Sequence, residues 1–208
     1  MANLRRYFDP VIVRMAVYAG LLALITVAFL HLPTKSFRED SIVEWIQFSF
    51  LFLAAGMFLF AGVKNRTHSA LSYIIALFFL IACMRECDRF FDRLICDGFW
   101  KIPVSVLVTA IITLIFLQTR NVIDSTRTVI NWRAFGMLAS GFMVLLFSRI
   151  FGHNNFWSDL IGPKNQRTVL RVIEEGVEFL AYFIFLAGSV EYAIKTLETE
   201  DNSCSHTK

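Results

Sequence analysis

The sequence predicts an all-α membrane protein, a polytopic bundle of six transmembrane helices, from its composition, its hydropathy and its apolar runs. Hydrophobic residues make up 56% of the 208 residues and charged residues only 18%, whereas an ordinary soluble domain has about 45–50% and about 25%. The mean hydropathy is +0.58. Six spans of about 20 residues use about 120 residues. We therefore expect one transmembrane domain over residues 1–197 and a flexible polar tail over residues 198–208.

Each expected span corresponds to one apolar run. The first is too long for the apolar core of a secretory signal, which has about 7–15 residues, so we expect it to be retained. Trp45 suits a membrane interface at the start of the second, and Pro103 lies near the start of the fourth, where proline is tolerated. The runs are Val11–Leu30, Trp45–Val63, Ala70–Met84, Ile102–Leu117, Ala134–Phe147 and Gly176–Val190.

The third, fifth and sixth runs are shorter than the about 20 residues that a span needs, so a charged turn must complete each of them. We expect the third helix to continue through Asp92, the fifth to continue through Phe151 and the sixth to begin around Val169. A charge at membrane depth costs about 2.5–3.5 kcal/mol on insertion scales. These charged turns should therefore face the interior of the bundle or water.

Six spans that alternate in direction bring four polar groups to the same side. They lie at the start of the second and sixth helices and at the end of the third and fifth. The groups are Glu39, Asp40, Glu44 and Gln47; Arg85, Glu86, Asp88, Arg89 and Asp92; Arg149, His153, Asn154 and Asn155; and Arg171, Glu174, Glu175 and Glu178. The threading thus predicts one polar pocket at one membrane interface.

Helical spacing predicts that the members of each group converge. Arg85, Asp88, Arg89 and Asp92 follow an i, i+3, i+4, i+7 pattern and would share one face of a continuous helix. Arginine paired with carboxylate lowers the cost of burying either charge.

The carboxylates of this pocket are the candidate catalytic groups. With His153 they form the set Glu44, Glu86, Asp88, Asp92, His153, Glu174, Glu175 and Glu178. Carboxylate oxygens suit a divalent cation, which could activate water for hydrolysis. The alternative is an ion-paired network that only fixes helix packing, and the sequence leaves both open.

The pocket also has candidate substrate-binding groups. A guanidinium can hold a phosphate or carboxylate through two parallel hydrogen bonds, and pairing with nearby acids is the alternative use of the same charge. The candidates are Arg85, Arg89, Arg171 and Gln47.

Three motifs carry a resemblance. They are the R-E-D-x-x-V-E pattern of Arg38–Glu44, the R-E-x-D-x-F-F-D pattern of Arg85–Asp92, and the Glu174-Glu175-x-x-Glu178 acids. As a set they resemble a family of small bacterial multi-pass membrane proteins, which implies a bacterial plasma-membrane location and no particular reaction. The chain is more distantly similar to the alkaline ceramidase and adiponectin-receptor superfamily of membrane hydrolases. That pattern needs an H-x-x-x-H pair, which this sequence lacks, so a three-histidine zinc site is not expected.

Three functions follow as expectations. The first is an enzyme acting on a lipid or lipid-linked substrate, with the bilayer or a lipid head group as its partner. The second is an ion- or proton-coupled transporter, and the third is a non-catalytic assembly or sensing subunit. A net charge of +3 gives no reason to expect nucleic-acid binding. Short basic connections opposite the pocket favour a cytoplasmic N-terminus.

Overall fold

The computed structural model describes residues 10–31, 42–151 and 166–205, and these residues form eight α-helices and one 3₁₀ turn. No strand occurs in the described ranges, in agreement with the expected all-α class. The helices are α1 (Pro10–Leu30), α2 (Ile42–Lys64), α3 (Ser69–Glu86), α4 (Asp88–Leu94), α5 (Lys101–Leu117), α6 (Thr119–Val129), α7 (Arg133–Phe151) and α8 (Gln166–Ser205), with the 3₁₀ turn at Arg66–His68.

Length and composition make the chain a multi-pass helical membrane protein. In the described part of the chain, α1, α2, α3, α7 and α8 are each long and apolar enough to cross a bilayer. A sixth span is reached only if α5 and α6 count together, and these two helices are bent by 94° at the residue between them. The expected number of six is therefore the upper limit, with five spans met by single helices.

The chain divides into two compact units, residues 1–36 and residues 37–208. The first contains α1, whose 21 residues extend about 30 Å at 1.5 Å per residue, which matches the hydrocarbon core of a bilayer. The second contains α2 to α8. In it, α8 packs against α7 and α2, α2 packs against α3, and α3 packs against α5.

One stripe of α2 forms the centre of the second unit. Its buried side chains recur every three or four residues, which places them on one face of a helix. They include Val43, Gln47, Leu51, Ala54, Phe58 and Ala61. The ring of Phe58 lies 5.7 Å from that of Phe79 on α3 and 4.7 Å from that of Tyr192 on α8. These aromatic contacts join the three helices that carry most of the site described below.

Helix α7 approaches α8 most closely at Gly141. A Cβ atom there would lie 2.9 Å from the Phe185 ring and 3.3 Å from the backbone oxygen of Ala181. Gly136, one and a half turns earlier, has no atom within 4 Å of the same position. Gly141 is therefore required by the close approach of the two helices, as is Gly188 on α8, where a Cβ atom would lie 3.2 Å from the Leu138 side chain.

The expectation that the third helix continues through Asp92 is wrong. Helix α3 ends at Glu86, and Cys87 has a ψ of 14°, whereas an α-helix requires about −42°. This rotation ends the helix, and α4 begins at Asp88. Arg85, Asp88 and Asp92 therefore do not form a single stripe on one helix.

The connection between the fourth and fifth expected spans is also structured. The sequence analysis treated it as a short basic loop, but it forms α6, with Ser125 and Val129 buried. The bend turns the polar residues of this segment away from the axis of α5. The expected continuation of the fifth helix through Phe151 is confirmed by α7. Helix α8 begins near the expected position and continues through Ser205, into the predicted tail.

Candidate functional site

A cavity of about 390 Å³ lies where α2 and α8 begin and where α3 and α7 end. We call it the charged cavity, because ten of its described lining residues are ionisable acids or arginines. The carboxylates are Glu44, Glu86, Asp88, Glu174, Glu175 and Glu178. The arginines are Arg85, Arg149, Arg167 and Arg171. The remaining lining residues are Trp45, Phe48, Cys87, Phe90 and Leu170.

The structure brings together eight of the side chains that the sequence analysis selected. They come from the start of α2, the end of α3, the start of α4 and the first turns of α8. The end of α7, which the alternation of spans also predicts, contributes Arg149. The eight are Glu44, Arg85, Glu86, Asp88, Arg171, Glu174, Glu175 and Glu178. Two further candidates cannot be placed this way, because His153 and the side chain of Arg89 lie outside the described residues.

Gln47 lies behind the cavity rather than in its lining. Its side chain is fully buried, and its Nε2 donates to the backbone oxygen of Glu175 at 3.1 Å and to Oε2 of the same residue at 3.2 Å. The Oε1 atom of Gln47 accepts no hydrogen bond from the described residues. Gln47 thus positions Glu175, and its expected role as a direct substrate ligand is not the one the structure gives it.

Asp92 is not among the described lining residues of the cavity, although Asp88 and Phe90 of the same helix are. Its Oδ1 accepts a hydrogen bond of 2.8 Å from the backbone N–H of Gly98, in the segment between α4 and α5. Gly98 has a φ of 78°, a conformation that favours glycine. Asp92 therefore stabilises a turn, and the structure does not support its candidate catalytic role.

Arg149 of α7 links two carboxylates of α8. Its Nη1 lies 3.1 Å from Glu174 Oε1, and its Nη2 lies 2.6 Å from Glu178 Oε1. The second contact is an ion pair without the angle of a directed hydrogen bond. Glu178 is only 7% exposed, whereas Arg149 is 49% exposed. The pair therefore holds a buried carboxylate in place while about half of the Arg149 side chain remains exposed.

Arg85, Glu86 and Tyr182 form a second polar group. The phenol of Tyr182 donates to Glu86 Oε1 at 2.7 Å, and Nη2 of Arg85 lies 2.6 Å from the same oxygen. Arg85 also donates to the hydroxyl of Tyr182 at 3.4 Å. Tyr182 belongs to α8 and is 2% exposed. This group fixes the carboxylate of Glu86 at the junction of α3 and α8.

Three of the cavity's carboxylates lie against guanidinium groups. Among the described residues, no group of three or more His, Cys, Asp or Glu side chains is arranged to hold a metal ion. The oxygens of Glu86, Glu174 and Glu178 that would bind a cation contact Arg85 or Arg149 instead. The described donor set therefore does not fit the divalent cation considered from the sequence.

Cys87 lies between α3 and α4 and lines the cavity beside several carboxylates. Burial, together with the nearby carboxylates of Glu86, Asp88 and Glu44, raises the pKa of its thiol to about 11. Glu44, Glu86 and Asp88, from α2, α3 and α4, line the charged cavity together with Cys87.

Several residues of the site escaped the sequence analysis. Arg149 was placed on the correct side but was not selected, and Arg167 and Tyr182 were not considered. The spacing of Glu178 and Tyr182, i and i+4 on one helix, is a signal that could have identified the tyrosine. The aromatic lining of Trp45, Phe48 and Phe90 had no such signal, because phenylalanine occurs 22 times in the chain.

Comparison with protein-family models, with curated proteins and with solved structures finds no match for this chain. The resemblance to small bacterial membrane proteins therefore stays a prediction.

Proposed function

We propose that this protein binds the polar head group of a lipid or lipid-linked substrate in the charged cavity, at one membrane interface. One observation carries the proposal: ten charged side chains line a cavity of about 390 Å³ at the end of an apolar helical bundle. Ligand cavities commonly have about 300–1,000 Å³. A head group is the part of a lipid that lies at the depth where these helices begin and end.

The exposure of the arginines favours a ligand over a purely structural network. Arg85 is 46% exposed and Arg149 is 49% exposed, although the carboxylates that they contact, Glu86 and Glu178, are 10% and 7% exposed. A network that serves only packing gains nothing from an accessible guanidinium. An accessible guanidinium can bind a phosphate or carboxylate through two hydrogen bonds while keeping its protein partner.

Chemistry at the bound head group is a second candidate function, in line with the enzyme hypothesis. It is favoured by the hydrogen-bonded group of Arg85, Glu86 and Tyr182, in which a phenol donates to a carboxylate beside the cavity. Such an arrangement suits general acid–base catalysis without a metal. Hydrolysis, in which water cleaves a phosphate ester bond and the head group leaves as an alcohol, should release label from head-group-labelled phospholipids, and Glu86→Gln should abolish release without loss of lipid binding.

The position of the cavity argues against the transporter alternative. Transporters commonly bind their substrate near the midplane, between broken helices. Here the cavity lies at one end of the bundle. The break between α5 and α6 comes after Leu117, at the end of α5 that is away from the cavity. Under the assembly-subunit alternative the charged network is purely structural, and the purified protein should bind no lipid.

Native mass spectrometry of the purified protein tests head-group binding. We expect a co-purified lipid on the wild-type chain and an occupancy at least about fivefold lower in Arg167→Gln/Arg171→Gln, because two of the phosphate-binding groups are lost. Arg120→Gln/Arg127→Gln, on α6, is the matched control and should keep the lipid. Equal occupancy in both double variants, or a wild-type protein without lipid, would contradict the proposal.

We also propose that the charged cavity faces away from the cytoplasm of a bacterial cell and that the N-terminus is cytoplasmic. The connections at the opposite end carry Lys64, Arg66, Arg120, Arg127 and Arg133 in short segments, which favours the cytoplasmic side. Cys96, exposed between α4 and α5, provides the test in a chain whose other cysteines are replaced by serine. An impermeant maleimide should label Cys96 in intact spheroplasts. Labelling only after membrane disruption would show the opposite orientation.

A further inference from the structure

One side of the charged cavity is aromatic. Trp45 and Phe48 of α2 and Phe90 of α4 line it, and we call these three residues the aromatic wall. The indole ring lies 6.1 Å from the Phe48 ring at 77° and 6.2 Å from the Phe90 ring at 76°. Trp45 is 52% exposed and Phe90 is 46% exposed. The wall therefore offers accessible rings at nearly right angles, the geometry that surrounds an alkylated ammonium group.

The same side of the cavity is acidic. Glu44 precedes Trp45 on α2, and Asp88 lies two residues before Phe90 on α4; both line the cavity with the aromatic wall. Over the whole described lining, six carboxylates face four arginines, a surplus of two negative charges when all groups are ionised. Among the described lining residues, this balance favours a ligand that carries a positive group.

Three of the four described arginines come from other helices. Arg149 comes from α7, and Arg167 and Arg171 come from the first turns of α8, whereas α2 and α4 contribute the aromatic wall and its acids. A ligand that contacts all four helices would meet rings and carboxylates from one pair and guanidinium groups from the other. Its complement is a molecule with an ammonium group and an anionic group a few bonds apart.

We propose that the charged cavity recognises a zwitterionic phosphodiester head group. The ammonium end lies against the aromatic wall beside Glu44 and Asp88, and the phosphodiester lies toward Arg167 and Arg171. The inference rests on the proposed head-group binding and adds the class of head group. Choline and ethanolamine phospholipids share this chemistry, as do the free glycerophosphodiesters derived from them.

Binding of short-chain phospholipids to the purified full-length protein tests this assignment. The probes are dihexanoyl phosphatidylcholine, phosphatidylethanolamine and phosphatidylglycerol, titrated by native mass spectrometry below their micellar concentrations. Both ammonium lipids should bind at least about tenfold more tightly than the glycerol lipid, as expected for a desolvated cation on aromatic rings. Glycerophosphocholine, as a fourth probe, distinguishes a free glycerophosphodiester from an intact phospholipid as the ligand. If it competes with the lipid, the head group alone suffices for binding. If it does not compete, the acyl chains are also needed. Either result is compatible with ammonium recognition, which the comparison with phosphatidylglycerol decides.

Variants of the aromatic wall sharpen the test. Trp45→Leu should weaken binding of phosphatidylcholine about tenfold and leave phosphatidylglycerol within about twofold, and Trp45→Phe should keep most of the affinity because it keeps a ring. Trp100→Leu is the matched control, since Trp100 is not in the described lining. Thermal unfolding of each variant checks that the fold is intact, and Phe90→Leu replaces Trp45→Leu if that variant fails to fold.

The failures of the two proposals are distinguishable. Equal affinity for the three lipids, or an unchanged affinity in a folded Trp45→Leu protein, overturns the ammonium assignment and leaves head-group binding standing. Binding of none of the probes overturns both.

Discussion

Replacing Arg149 with methionine removes the positive charge that lies between two carboxylates of α8. Glu178 is 7% exposed and lies 2.6 Å from Nη2 of Arg149. Removing one partner of a fully buried ion pair costs about 3–5 kcal/mol, and an exposed pair contributes about 0–1 kcal/mol. Because Arg149 is itself 49% exposed, we expect Arg149→Met to lower the free energy of unfolding by about 1–3 kcal/mol.

A double-mutant cycle isolates the interaction. Glu178→Gln removes the buried charge, so Arg149→Met/Glu178→Gln should recover most of the stability lost in Arg149→Met, with a coupling energy of at least about 1 kcal/mol. Arg127→Met is the matched control. Its ion pair with Asp124 spans 4.0 Å between side chains that are at least 75% exposed, so its loss should change stability by less than about 0.5 kcal/mol.

Reversible unfolding in mixed detergent and dodecyl sulfate micelles, followed by circular dichroism, measures these values. Strictly additive effects of Arg149→Met and Glu178→Gln would refute the reasoning, because they would show that the two groups do not interact. An effect of Arg149→Met no larger than that of Arg127→Met would refute it as well.

Three further predictions use the same purified protein. Gly141→Ala should destabilise the fold by about 1–2 kcal/mol because the added methyl group meets a ring and a backbone oxygen of α8. Gly136→Ala, on the same helix, is the control and should cause no loss of stability in the same unfolding assay. Equal effects of the two substitutions would contradict the close packing of α7 on α8. Tyr182→Phe should cost about 1–2 kcal/mol in that assay, since Glu86 loses a hydrogen bond of 2.7 Å in a buried setting, and an unchanged stability would exclude this bond as a contributor. Alkylation of Cys87, measured by peptide mass spectrometry, should be slow at pH 7 and accelerate about tenfold per pH unit toward pH 11. Only the thiolate reacts, and the pKa of the thiol is raised to about 11. A rate that levels off below pH 9 would contradict the raised pKa.

Much of the architecture was predictable because it depends on local composition. Apolar runs located α1, α2, α3, α5 and α7 to within about four residues, whereas α8, from Gln166 to Ser205, extends well beyond the Gly176–Val190 run at both ends. The same length argument recognised the charged turns that complete α7 and begin α8, but it carried the third helix past its end at Glu86. The alternation of helix direction then placed Glu44, Arg85 and Glu178 at one end, because parity requires only the number of spans and not their packing.

The rest depends on departures from regular geometry that a hydropathy pattern does not encode. Cys87 is a single non-helical residue between α3 and α4. After it, Asp88 lines the cavity, whereas Asp92 accepts a hydrogen bond from the backbone of Gly98. Helix α6 was missed because its polar residues resemble a loop, although Val122, Ser125 and Val129 follow a helical spacing.

By itself, the sequence determined that this chain is helical, that it has membrane-spanning segments and that its costly charges gather at one end. Those properties follow from the free energy of transferring side chains into lipid, which sums along the chain. Only the tertiary structure decided which charges meet. Pairing depends on the rotation of each helix about its axis and on its distance from its neighbours, and these are set by packed contacts such as Phe58 with Tyr192 and Gly141 with Phe185. That packing joins Arg149 to Glu178, Tyr182 to Glu86 and the aromatic wall to its acids.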